Sequence, residues 1–186
     1  MRTALLTIAL ALAVSPLYSG QVPRKAAELS VVQPNGTTHL LSQYKGKVIV
    51  IEFMFTTCPH CQTSAQLLTK LQNEYGPRGF QVLAVAFNPM AKMLVPDFVR
   101  DFKVNFPIGY AERDPVTSFL QHPDSEQLTV PQIVFVDRKG VVRGQSLPMG
   151  DTHTASESFL RKNIEQLLAE PAGGAPAKVK SAAASK

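Results

Sequence analysis

Fifteen consecutive residues constrain this chain more than any other part of it: V-I-V-I-E-F-M-F-T-T-C-P-H-C-Q, from Val48 to Gln62. Val48 to Phe55 is apolar, β-branched or aromatic throughout, broken only by Glu52. A run of that length and composition reads as a strand buried on both faces. Two threonines and Cys58-Pro59-His60-Cys61 follow. Beyond them Leu67, Leu68, Leu71 and Tyr75 recur at helical spacing up to Tyr75. Proline suits the first turn of a helix, where its missing N–H costs nothing. The stretch therefore predicts a strand, a tight junction and a helix, with Cys58 at the helix N-terminus and Cys61 one turn inside.

That junction carries chemistry. A thiolate at a helix N-terminus meets unpaired N–H groups and the positive end of the helix dipole, and both favour the nucleophilic form. Cys61 is near enough in sequence to close a disulfide with Cys58 and is expected to be the less accessible of the two. One cysteine would attack and the other resolve. An inert disulfide or two buried thiols is the bland alternative. The strand before the motif and the helix after it favour redox chemistry. A zinc role is disfavoured, because Cys58, His60 and Cys61 supply three candidate ligands at close spacing where four are wanted. Glu52 is the one charge in a strand expected to be buried, which is costly unless the carboxylate protonates or pairs. An ion pair with Lys47 or Lys70 is one way out.

The flanking chain supplies the other elements of a single domain. Val31-Val32-Gln33 and Thr37 to Leu41 flank Pro34-Asn35-Gly36, a hairpin turn. Phe80 to Phe87 reads as a second buried strand, stopped by Asn88-Pro89. Met93 to Val104 reads as an amphipathic helix, Val104 to Ile108 as a short extended segment and Val116 to Gln121 as a short helix. Ile133 to Val136 and Val141 to Arg143 form a hairpin about Asp137-Arg138-Lys139-Gly140, and Ser156 to Ala169 a final helix. Strands separated by helices imply a parallel core. Thr129-Val130-Pro131 stands immediately before the last hairpin.

This order, with C-P-H-C between the central strand and its helix, resembles the thioredoxin fold over nearly all of residues 21–170. L-S-Q-Y-K-G-K-V ahead of the strand is similar to the extracytoplasmic TlpA/ResA-like family, which carries an extra N-terminal β-hairpin. The insert Pro59-His60 resembles that of DsbA-type oxidoreductases. The resemblance implies an α/β fold with a central mixed sheet flanked by helices, and thiol–disulfide exchange with protein substrates. It implies a cis peptide at Pro131, which would leave the Val130 backbone free to pair with a substrate and let the proline approach the sulfurs. It makes Glu52 the buried proton acceptor for Cys61. His60 would stabilise the Cys58 thiolate and make the disulfide more oxidising, in the direction of the DsbA extreme of about −120 mV against about −270 mV for thioredoxin. The chain also departs from the pattern. It has no tryptophan before the motif, and Ser64 stands where ResA-type proteins carry a glutamate. Ile51 and Phe55 occupy the proline and threonine places of the peroxiredoxin pattern P-x-x-x-T-x-x-C, which argues against a peroxidase. A C-x-x-C holding Cu(I) in a metallochaperone or binding module is the alternative function.

The two ends differ from the domain. Arg2, the apolar run Thr3 to Val14 and a small-residue exit match a signal peptide over residues 1–20. The run is short for a membrane span. Residues 171–186, rich in Ala, Gly, Pro, Ser and Lys, read as a disordered tail. The formal net charge is +5. Arg2, Lys178, Lys180 and Lys186 carry four of those charges outside the domain, leaving one, so no nucleic-acid surface is indicated. The chain is 45% hydrophobic and 18% charged, as a globular domain should be. Its two cysteines both lie in the motif, which fits a redox pair in an oxidising compartment. The expectation is a periplasmic or otherwise extracytoplasmic monomer with a membrane redox partner and no cofactor. His39, His122 and His153 read as turn or surface residues.

Overall fold

The strand Val48–Met54 is buried at all seven positions and hydrogen-bonded to a strand on each side. The computed structural model describes residues 20–123, 125–149 and 153–171. The signal peptide expected at residues 1–20 and the tail expected at 171–186 lie outside these, apart from Gly20 and Pro171. In chain order the elements are β1 (Arg24–Lys25), β2 (Ser30–Val32), β3 (Thr38–Leu40), β4 (Val48–Met54), α1 (Pro59–Tyr75), β5 (Phe80–Ala86), α2 (Ala91–Asp101), β6 (Ile108–Tyr110), α3 (Arg113–Leu120), β7 (Gln132–Val136), β8 (Val141–Gln145) and α4 (Glu157–Ala169).

One sheet holds the eight strands of the described residues in the order β1-β8-β7-β4-β5-β6-β2-β3. β4, β5 and β6 run parallel. β7 and β8 run antiparallel on one side of them, and the β2–β3 hairpin antiparallel on the other. This is the mixed sheet of a thioredoxin-like fold with the added N-terminal hairpin. Gly36 takes φ 87° at the hairpin turn, a conformation that costs glycine nothing, and Thr37 N donates to Asn35 Oδ1 at 2.9 Å.

Alternation along β4 divides the core. Val48, Val50 and Met54 face one layer with Cys61, Ala65, Leu68 and Leu71 of α1, Val95 and Phe98 of α2 and Leu160 and Ile164 of α4. Ile49, Ile51 and Phe53 face the other with Val116, Phe119 and Leu120 of α3 and Val31 and Leu41 of the hairpin region. Glu52 shares the parity of Val50 and Met54 and so lies on the α1 side. Burying each large apolar side chain contributes roughly 1.5–3 kcal/mol, so the helix carrying the cysteines is anchored by its Leu68, Leu71 and Tyr75.

The structure shifts several sequence-based expectations. β1 is two residues long, too short to show a pattern. The extended segment expected at 104–108 becomes a strand at Ile108–Tyr110. α2 begins and ends two or three residues earlier than its apolar spacing suggested, despite Pro96 inside it. His122 is buried rather than on the surface: its Nδ1 lies 2.7 Å from the Pro123 carbonyl oxygen.

Candidate active site at the mouth of helix α1

Cys58 is the N-cap residue of α1, in extended backbone at φ −87° and ψ 119°, and Pro59 is the first helical residue. The reason is local: proline blocks continuation of a hydrogen-bonded strand and is preorganised for a helical first turn. The Cys58 N–H donates to Phe55 O at 3.1 Å and Gln62 N–H to Cys58 O at 3.0 Å, so the junction is closed from both sides. Cys58 is half-buried and Cys61 fully buried, and both are free thiols. His60 is exposed on the first turn between them.

The loop before Cys58 is fixed by a residue the sequence reading passed over as a strand stop. Asn88 is 8% exposed and follows β5. Its Oδ1 accepts the Thr56 N–H at 2.9 Å, and its Nδ2 donates to Thr56 Oγ1 at 3.1 Å. Gln62 Nε2 donates to Thr56 O at 3.1 Å. A polar residue at the end of a buried strand was the one signal that could have marked Asn88.

The segment before β7 closes the site from the side. Val130–Pro131 is a cis peptide, as is Val22–Pro23. Cys58 Sγ lies 3.9 Å from Val130 O, a weak S–H donor contact. Gln132, 1% exposed, braces this segment: its Nε2 donates to Thr129 O at 2.8 Å and Leu147 O at 3.1 Å. Thr129 N–H donates to Pro148 O at 3.2 Å. Leu147 and Met149, on either side of Pro148, are exposed apolar side chains.

Beneath the thiols lies Glu52, fully buried between Ala84 of β5 and Ile133 of β7. The ion pairs considered from sequence do not form. Lys70 binds Glu157 at 3.0 Å, and Lys47 lies over the Tyr44 ring. Neither Glu52 oxygen has a hydrogen-bond partner of good geometry. Burial pushes the Glu52 carboxyl up to about 8, tempered by the Ser64 hydroxyl nearby. Burial also pushes the Cys61 thiol up, against a backbone contact at Phe55, with Glu52 and Cys58 adding to the rise. Cys58, Cys61 and Glu52 thus come together at the carboxyl end of β4, with the Val130 carbonyl and its cis bond to Pro131 beside Cys58, while Pro59 and His60 lie exposed on the first turn of α1.

A family profile described as AhpC/TSA matches residues 22–145. The chain belongs to the AhpC/TSA family. Among curated proteins it is 26% identical over 151 residues to the thiol-disulfide oxidoreductase ResA of Geobacillus kaustophilus, across 77% of this chain and 83% of that protein. It is 33% identical over 93 residues to a probable glutathione peroxidase 8 of Arabidopsis thaliana, across 46% of this chain and 56% of that protein. The crystal structure of a thiol:disulfide interchange protein from Chlorobium tepidum superposes with a TM-score of 0.67 at 21% identity, covering 81% of this chain and 99% of the other. Within the AhpC/TSA family this chain is a TlpA/ResA-like oxidoreductase with a thioredoxin fold. Among the described residues no helix is long and apolar enough to cross a membrane.

Proposed function

We propose that this AhpC/TSA protein exchanges disulfides with protein substrates through Cys58 and Cys61, outside the cytoplasm. The observation that carries the reading is the asymmetry of the pair, one half-exposed thiol at the helix mouth and one buried thiol a turn below it.

The steps follow from that asymmetry. The Cys58 thiolate attacks a substrate disulfide, the substrate's other sulfur leaves as a thiolate and takes up a proton, and a Cys58–substrate mixed disulfide remains. In its ionised form, the minor one near neutral pH, Glu52 takes the Cys61 proton, and the Cys61 sulfur attacks Cys58 Sγ. The Cys58–Cys61 disulfide closes and the second substrate thiolate departs. The substrate gains two electrons and the dithiol loses them. The same steps in reverse deliver a disulfide, and a membrane redox partner resets the pair. Val130 O beside Cys58, with Leu147 and Met149 on the adjoining loop, offers an extended and partly apolar polypeptide a place to lie. Ile51 and Phe55 at the positions where peroxiredoxins carry proline and threonine disfavour peroxide as the substrate. The signal-like N-terminus supports export.

Trapping tests the assignment. Cys61→Ser should accumulate a mixed disulfide through Cys58 with insulin, one of whose disulfides it opens, Cys58→Ser should not, and the native protein should catalyse insulin reduction by a small dithiol. Absence of trapping and turnover, together with tight Cu(I) uptake by the reduced protein, would replace the enzyme with a metal carrier. Rapid consumption of hydrogen peroxide would replace it with a peroxidase.

A further inference from the structure

Ser64 lies one turn beyond Cys61 on α1, and residues three apart share a helix face. It is 3% exposed, while Cys61 and Glu52 are both fully buried. Its Oγ and both Glu52 oxygens are buried polar atoms without a hydrogen-bond partner of good geometry. Its exposed neighbour Thr63 donates its hydroxyl to Pro59 O at 3.1 Å, the ordinary fate of such a group in a helix. Ser64 does not spend its hydroxyl on the backbone. It falls short of a well-formed bond to Glu52, yet it is close enough to oppose the effect of burial on that carboxyl. A buried hydroxyl left unpaired costs about 1–3 kcal/mol, so its retention beside the thiols needs a reason.

We propose that Ser64 is a positioning residue for exchange, its hydroxyl turning to donate to whichever of Glu52 and Cys61 bears the negative charge as the proton passes between them. This rests on the disulfide-exchange reading above. In the step concerned the Cys61 S–H bond breaks and its proton bonds to a Glu52 oxygen. The freed electron pair forms the bond to Cys58 Sγ, and the substrate sulfur leaves with the pair from the broken mixed disulfide. The charge begins on a carboxylate and moves to a thiolate, and both sites are dry. A rotatable O–H can follow it, because a hydroxyl has one donor and no fixed direction.

No other ionisable side chain competes for the role among the described residues that face this point. The β5 and β7 neighbours of Glu52 are Ala84 and Ile133, the buried residues of α4 are Leu160, Ile164, Leu167 and Leu168, and of the other titratable groups at the mouth of α1 Cys58 is half-buried and His60 is exposed. Lys70 of α1 and Glu157 of α4 pair with each other on the exposed side.

The test reads Glu52 directly. Infrared difference spectra of the reduced protein, titrated with base, follow loss of the buried carboxylic-acid band, which Glu52→Gln identifies by removing it. Ser64→Ala should move that titration upward by about one pH unit, since a hydrogen bond to a charged group is worth about one to two pH units. It should also carry the pH profile of the Cys61-dependent resolving step in the same direction. Ser64→Thr, which keeps the hydroxyl, should restore both. Alkylation of Cys58 in a Cys61→Ser background should not change. A titration unmoved by Ser64→Ala overturns the proposal even if exchange proceeds normally. A protein that performs no exchange overturns the reading of the dithiol, while the infrared titration still reports whether Ser64 holds Glu52.

Discussion

Asn88 Oδ1 receives the Thr56 N–H at 2.9 Å and so ties the end of β5 to the loop that delivers Cys58. Asn88→Ala leaves that buried N–H without its acceptor. The expected cost is about 1–3 kcal/mol of stability, seen in chemical denaturation of the reduced protein. The rate of Cys58 alkylation should change with it, because Cys58 N and Phe55 O lie in the same loop.

Glu52 makes stability depend on pH in a stated direction. Its folded value of about 8 lies above the ordinary carboxyl value of about 4.5, so the folded protein binds the extra proton in that window. The associated stability is fully present below about pH 4.5 and is lost as pH rises to about 8. Glu52→Gln abolishes the dependence. Relative to the native protein the variant should match it at low pH and gain a few kcal/mol above pH 8, in urea melts of the reduced form. Parallel curves for the two proteins from pH 4 to 9 would show that the carboxyl is not held neutral.

The two thiols should differ in access. Iodoacetamide should modify Cys58 first, faster than free cysteine at neutral pH, and reach Cys61 only on unfolding, since Cys61 is fully buried. Peptide mapping after a short pulse decides it. Equal labelling would remove the division of roles.

His60 stands exposed between the cysteines, where an imidazole favours the thiolate over the disulfide. The pair should equilibrate with glutathione at a potential above thioredoxin's value of about −270 mV, and His60→Gly should bring it down. A native potential at or below that value defeats the expectation.

Arg143 concerns the opposite end of the molecule. Its guanidinium, almost fully buried, binds Asp137 Oδ2 at 3.1 Å and Glu170 Oε2 at 2.9 Å. Arg143→Met leaves the buried Asp137 carboxylate with only the Lys139 and Val141 N–H groups at Oδ1 and should cost up to about 3–5 kcal/mol, with insulin reduction per folded molecule unchanged. Denaturant midpoints alongside activity separate the two effects.

Much of this arrangement was legible because the strongest signals are local. The apolar run of β4, Pro59 after Cys58 and the repeat of Leu68, Leu71 and Tyr75 each predict their own element without distant partners. The same reasoning placed Glu52 in a buried strand and Val130-Pro131 before the last hairpin. What it missed depends on residues far apart in the chain. Asn88 earns its place only when β5 lies beside β4 and Thr56 comes within reach. β1 is a strand because Arg24 and Lys25 meet Val142 and Val141, more than a hundred residues on. Ser64 looked like a mere departure from a relative's glutamate until its helix face was known. His122 is buried by packing its own neighbours do not announce.

Among the described residues the sheet ends on stubs: β1 offers two residues and β3 three. A free sheet border is where stray polypeptides usually attach by continuing the ladder, and borders this short give them little to grip. A molecule built this way can meet unfolded chains at its sulfur end without being drawn sideways into their aggregates.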